Sequence, residues 1–196
     1  MFISLEGVDG SGKSTQARLL AAALGADTLL IREPGGTDAA ERIRELLADP
    51  GLEIDPFAEL LLFSAARADL VSRVIRPALE QGGTVVADRF ADSSIAYQGG
   101  ARGLGTSHVL SLSDTVIDGL WPDLTLLLRV SPEVGLGRAD GEDRLEAEGV
   151  ELQRAAAEAY DEIALIAADR VVAIDASGTV EEVHERVMEA VRSHSS

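Results

Sequence analysis

Gly7-Val8-Asp9-Gly10-Ser11-Gly12-Lys13-Ser14 satisfies the pattern G-x-x-x-x-G-K-[ST] without a mismatch. Each residue type has a chemical reason for its place. The glycines let the backbone curl so that successive N–H groups point inward at phosphate oxygens. A helix starting at Lys13 would present the positive end of its dipole to the same anion. Lys13 carries a mobile charge to the β- and γ-phosphates, Ser14 offers a hydroxyl to Mg²⁺, and Thr15 continues the turn. The bland alternative is a glycine-rich turn that merely precedes a helix. Composition weighs against it: of 17 basic residues only one is a lysine, and it stands where this cradle requires lysine. The rigid fork of arginine would not replace it there.

The elements around the motif are those needed to hold it. The run 2–6 reads as a buried strand, and Lys13 to Leu24 as a helix with Ala17, Leu20, Ala21 and Leu24 on one face. Short apolar runs then alternate with longer amphipathic stretches, the mark of βαβ units. Strands are expected at 28–31, 84–87, 124–130 and 170–174. Helices are expected at 39–48, 56–81 with a bend near Pro77, 93–97, 107–120, 132–138, 150–168 and 180–191. Residues 98–105, with Gly99 and Gly100, read as a loop, and 139–149 as a short polar insertion. The expected fold is α/β: a five-stranded parallel sheet with helices on both faces, ligands at the carboxyl ends of the strands, and a single domain over 1–196 with a lid at about 138–149.

Charge and composition narrow the function further. The 196 residues hold 17 Lys+Arg against 34 Asp+Glu, a net charge of −17. That balance excludes a protein that coats nucleic acid or an anionic membrane. Without cysteine there is no disulfide, thiolate nucleophile or cysteine–zinc site. No apolar run is long enough to span a membrane, and the start lacks the features of a secretory signal, so a cytoplasmic protein is expected. Guanine-reading switches use Asn-Lys-x-Asp; this chain has no asparagine and no second lysine. Motor and transporter ATPases are larger. A kinase acting on a small metabolite remains.

Several further segments carry a resemblance. Arg32-Glu33-Pro34-Gly35-Gly36-Thr37 ends the second strand. Phe63-Ser64-Ala65-Ala66-Arg67 lies on the long helix. Asp88-Arg89-Phe90 and Ala96-Tyr97-Gln98 follow the third strand, and Asp143-Arg144-Leu145-Glu146 lies in the insertion. With the cradle, and in this order, they resemble the bacterial thymidylate kinases, which phosphorylate dTMP with ATP. The resemblance implies ATP and Mg²⁺ as cofactors, nucleotides as the small-molecule partners, and a homodimer, with the helix around residues 60–70 as a candidate face. It implies that Phe63 stacks on thymine, that Arg67 bonds the thymine carbonyl, that Tyr97 packs where a 2′-hydroxyl would sit, and that Asp9 meets the 3′-hydroxyl. Arg89 would hold phosphate, and Asp88 with Ser14 would hold Mg²⁺. Ser94, Gln98 and Glu33 are further substrate candidates, and 175–178 the adenine side.

Some family members carry arginine where this chain has Gly10. Arg144 is therefore expected at the transferring phosphoryl group, and Arg138 over adenine or its phosphates. Two rivals stand beside this reading. One is another small-molecule kinase of the same fold, with Glu33 as base for a hydroxyl acceptor. The other is a non-catalytic module that senses ATP. Arg32 is expected either on the acceptor phosphate or paired with Glu33 or Asp38. His108, His184 and His194 have no metal or triad spacing and read as surface residues.

Overall fold

Side chains alternate along a strand, so a strand buried on both faces must be apolar on both. β1 (Phe2–Glu6) is buried throughout: Ile3 and Leu5 join one core layer and Phe2 the other. β4 (Leu124–Arg129) divides likewise, with Leu124, Leu126 and Leu128 on one side and Leu127 on the other. With β2 (Thr28–Arg32), β3 (Thr84–Asp88) and β5 (Val171–Asp175) they form one parallel sheet in the order β2-β3-β1-β4-β5. The computed structural model describes residues 1–138 and 149–194.

Helices cover both faces, as expected. α1 (Lys13–Leu24) and α9 (Val180–His194) lay Ala17, Leu20, Val183, Val187 and Val191 against one face. The other face is covered by α3 (Pro56–Leu70), α6 (Thr106–Ile117) and α8 (Gly149–Ile166), with Leu60, Val109 and Ile163 among the buried contacts. α2 (Asp38–Ala48) packs on α3. Short elements complete the order: α4 (Arg76–Glu80), α5 (Ala91–Ser94), α7 (Pro132–Leu136) and two π-helical turns. Among the described residues no helix is long and apolar enough to cross a membrane.

The differences from expectation have physical causes. The stretch 56–81 is not one helix bent at Pro77. It widens over Val71–Ile75 into a π-helical turn, in which the N–H of Arg76 bonds Val71 O, and re-forms as α4 with Pro77 in its first turn. Proline has no N–H to give and its ring crowds the carbonyl four residues back, which the wider turn accommodates. Residues 98–105 are not all loop either. A second π-helical turn, Ile95–Ala101, carries the chain past Gly99 and Gly100. Those glycines serve packing: a Cβ on Gly100 would lie 2.5 Å from Ala159 Cβ, and one on Gly99 would lie 3.0 Å from Thr106 Cα. Gly149, placed in the insertion, begins α8. The rest of the insertion, with Arg144, lies outside the described residues.

Candidate active site

β1 delivers the cradle to the middle of the sheet, where its carboxyl end meets those of β3 and β4. Gly10 has φ +68°, and a Cβ there would lie 1.9 Å from Gly135 O on α7. A Cβ on Gly135 would in turn meet Asp9 O at 2.3 Å. Only glycine on both sides permits this approach. Gly12 precedes α1 in a left-handed conformation, and no side chain caps the helix. The first N–H groups of α1 are thus left to the cleft in front of them.

That cleft, of about 780 Å³, is lined by residues 9–16 together with Asp88, Arg89, Arg138, Ala176 and Gly178. Cavities of this size take small-molecule ligands. Lys13 lies folded over the loop, with Nζ donating to Val8 O at 2.8 Å and Ser11 Oγ at 3.4 Å. Burial, with Arg89 next, lowers its pKa from 10.5 to about 8, against the pull of Asp9, Asp88 and Glu6. Ser14 is exposed and Asp88 half-buried. Gly7, deeper in the loop, has φ +139° and accepts from Arg89 Nη1 through its carbonyl.

Arg89 links this cleft to a second one. It is a non-glycine residue at φ +71°, a conformation costing on the order of 1–2 kcal/mol. The surroundings impose it: Arg89 N–H donates to Leu5 O at 3.0 Å, and Phe90 N–H donates to Glu6 Oε1 at 2.7 Å. The turn aims the guanidinium at Asp9, with which it pairs, at Ser93 Oγ (3.2 Å), and over the Tyr97 ring at 5.2 Å. Burial alone would raise the Asp9 carboxyl, but Arg89 and Lys13 outweigh it and hold it below its ordinary value.

The second cleft is lined by Asp9, Glu33, Arg44, Phe63, Arg67, Arg89, Ser94, Tyr97 and Gln98, among others. Phe63 belongs to no core cluster among the described residues; its half-buried ring faces this cleft instead. Arg67 is fully buried. It donates to Glu33 Oε2 at 2.8 Å, Ser94 Oγ at 3.0 Å and Phe90 O at 3.2 Å. Glu33 Oε1 is buried with no hydrogen-bond partner, and burial raises the Glu33 pKa in spite of Arg67. Gln98 is buried and donates to Glu59 Oε1 at 3.0 Å, where Arg102 also donates. Neighbouring α3 side chains divide: Leu60 is buried, whereas Leu61 is 46% exposed.

The clefts therefore gather Lys13, Arg89, Phe63, Arg67, Tyr97, Ser94, Gln98, Glu33, Asp9, Asp88 and Arg138. Two minor expectations are corrected. The ion pair of Arg32 is with Glu41 at 3.2 Å rather than with Glu33 or Asp38, a partner one turn along α2 that adjacent-residue reasoning passes over. His184 is half-buried with Nδ1 3.2 Å from Gln16 Oε1, because α9 packs on α1. The sequence reading also missed Arg44, Glu59, Gln153 and Glu6. Glu6 is fully buried and accepts from Phe90 N–H, from Ser93 Oγ at 2.6 Å and from Tyr160 OH at 2.8 Å. Burial, with Asp92 next, raises it to about 7. A charged residue ending an apolar strand was the one available signal for it.

Similarity to known proteins agrees with this geometry. A family model described as thymidylate kinase matches residues 5–187. A thymidylate kinase of Halothermothrix orenii is 46% identical over 98% of this chain and 96% of that protein. One of Deinococcus radiodurans is 43% identical over 97% and 96%. The crystal structure of the Ehrlichia chaffeensis thymidylate kinase superposes with a TM-score of 0.82 at 34% identity, covering 98% of both chains. With its phosphate cradle and a second cleft joined at Arg89, the chain belongs to the thymidylate kinase family.

Proposed function

We propose that the chain moves the γ-phosphoryl group of ATP onto dTMP, giving dTDP and ADP. The observation that carries this reading is the wall shared by the two clefts: Asp9, Glu33, Arg44 and Arg89 line both. A donor in the cradle and an acceptor in the second cleft would meet across that wall. The acceptor is a phosphate monoester, already about −1.5 to −2 in charge near neutral pH, so its oxygen needs no general base. The task is to bring two anions together in line and to stabilise charge on the moving group.

The cradle residues Gly7 to Thr15 hold the donor phosphates through backbone N–H groups, and Lys13 follows the moving phosphoryl group. Arg89 stands between donor and acceptor phosphates and stabilises both. Phe63 stacks on the base, with Arg67, Ser94 and Gln98 at its polar edge. Glu33 holds Arg67 in place rather than acting as a base. Arg138, at the mouth of the donor cleft, covers adenine or its phosphates, and Arg144 supplies the charge that Gly10 cannot. For Mg²⁺ the available donors are the Ser14 hydroxyl and the Asp88 carboxylate. No group of three or more His, Cys, Asp or Glu clusters among the described residues. An ion that completes its shell with phosphate oxygens and water fits that set. Bound there, it would neutralise charge on the donor phosphates. We place the protein in the cytoplasm as a homodimer, paired through the exposed side of α3 and α6, where Phe57, Leu61 and Leu110 lie uncovered.

A coupled ADP-release assay with dTMP, dUMP, dCMP and thymidine tests the reading. The expected order puts dTMP first and gives no turnover with thymidine. Turnover with thymidine but not dTMP would overturn it in favour of a hydroxyl acceptor.

A further inference from the structure

Gln153 lies on α8, buried at 1% exposure, at the edge of the acceptor cleft. Its side chain makes three polar contacts with two residues of that cleft. Oε1 accepts from Asp9 N–H at 3.1 Å and from Tyr97 OH at 3.0 Å, and Nε2 donates to Asp9 Oδ2 at 2.6 Å. The chemistry fixes the orientation. Turned over, the amide would place N–H groups against two donors and a carbonyl against a carboxylate. Burial pushes the Tyr97 phenol up, so it stays a donor.

A nucleotide runs base, sugar, phosphate. In the acceptor cleft Phe63 and Arg67 stand at one end and Arg89, shared with the cradle, at the other. Tyr97 and Asp9 stand between, both touching Arg89, so they face the sugar. The Tyr97 ring is held at its face by Arg89 and at its hydroxyl by Gln153. We propose that Gln153 is a positioning residue for sugar selection: its amide fixes the Tyr97 ring and the Asp9 carboxylate where the acceptor's deoxyribose is read. A ring pinned at both ends cannot yield to an added 2′-hydroxyl; a ring released at one end can. This rests on the dTMP reading above.

The test compares kcat/KM for dTMP with that for the ribose analogue, 5-methyluridine monophosphate, in wild type, Gln153→Met and Tyr97→Phe. Methionine fills nearly the volume of glutamine without its polar ends. Gln153→Met should lower the deoxy-over-ribo ratio about five- to tenfold, the worth of one hydrogen bond, with KM for ATP unchanged. Tyr97→Phe removes the same bond from the other end and should lower the ratio by a similar factor. The two together should do little more than either alone. A Gln153→Met enzyme with an unchanged ratio, or with equal losses for both acceptors, would overturn the inference. If that variant fails to fold, an unchanged ratio in Tyr97→Phe would overturn it equally. A wild type that ignores dTMP would instead sink the functional reading itself.

Discussion

Nucleotide binding above pH 8 should pull a proton onto Lys13. In the free protein, burial and then Arg89 bring this lysine from 10.5 to about 8. The unfolded chain keeps the proton to about pH 10.4. Between those values the unfolded state holds the Lys13 proton and the folded state does not, so the contribution of Lys13 to folding stability rises with pH from about 8 to 10.4. Below pH 8 the fold carries the full cost of a buried ammonium, about 3 kcal/mol. A triphosphate against Nζ reverses the balance, because an adjacent anion favours the charged form. At pH 9 roughly a tenth of the free protein holds the Lys13 proton, so binding should take up about 0.9 proton per site. Other groups stay out of the count. Glu6, at about 7, is ionised by then, the Tyr97 phenol is pushed up and stays protonated, and phosphate has already lost its last proton. Titration calorimetry with MgATP at pH 9, in buffers of different ionisation enthalpy, reads the number as a slope. Lys13→Met should bind more weakly and lose the slope. Tight wild-type binding with a slope near zero, or with proton release, would refute the reasoning.

Gly10→Ala should lower stability by about 2–4 kcal/mol, since it adds left-handed strain to an overlap with Gly135 O at 1.9 Å; a thermal melt reads it, and an unshifted melt means that α7 gives way. Phe63→Ala should raise KM for dTMP about three- to tenfold through lost stacking, with KM for ATP unchanged. Arg67→Met strands the buried Glu33 carboxylate and should cost about 3–5 kcal/mol in chemical denaturation, much of it regained when Glu33→Gln is added.

The cradle was legible because its constraints are local. A strand, three glycines, one lysine and a helix start are consecutive in the chain, and α1 begins at Lys13 as the motif requires. The sheet was legible for a related reason, since strands buried on both faces leave apolar runs that nothing else explains. What failed were inferences from residue type without context. Gly99-Gly100 read as part of a loop, yet Gly99 lets α6 approach and Gly100 lets α8 approach, the latter a contact with a residue nearly sixty positions away. Pro77 marked a disturbance correctly, but the backbone absorbs it in the turn before. Gln153 left no trace, because one glutamine on an amphipathic helix resembles any other until Asp9, 144 positions earlier, is found beside it.

The charge of the chain poses a last question: how does a protein of net charge −17 receive two polyanions? Seven basic residues line the two clefts: Lys13, Arg32, Arg44, Arg67, Arg89, Arg102 and Arg138. Among the described ion pairs, Arg89 is held by Asp9, Arg67 by Glu33, Arg102 by Glu59 and Arg32 by Glu41. Pairing removes the cost of holding bare cations in a partly desolvated site. It also fixes each fork before a nucleotide arrives, so little reorganisation is needed when phosphate comes. Lys13 differs: its contacts are a carbonyl and a hydroxyl, and its proton is held loosely. The arginines are therefore a preset frame, whereas the lysine is the charge that the arriving phosphate completes.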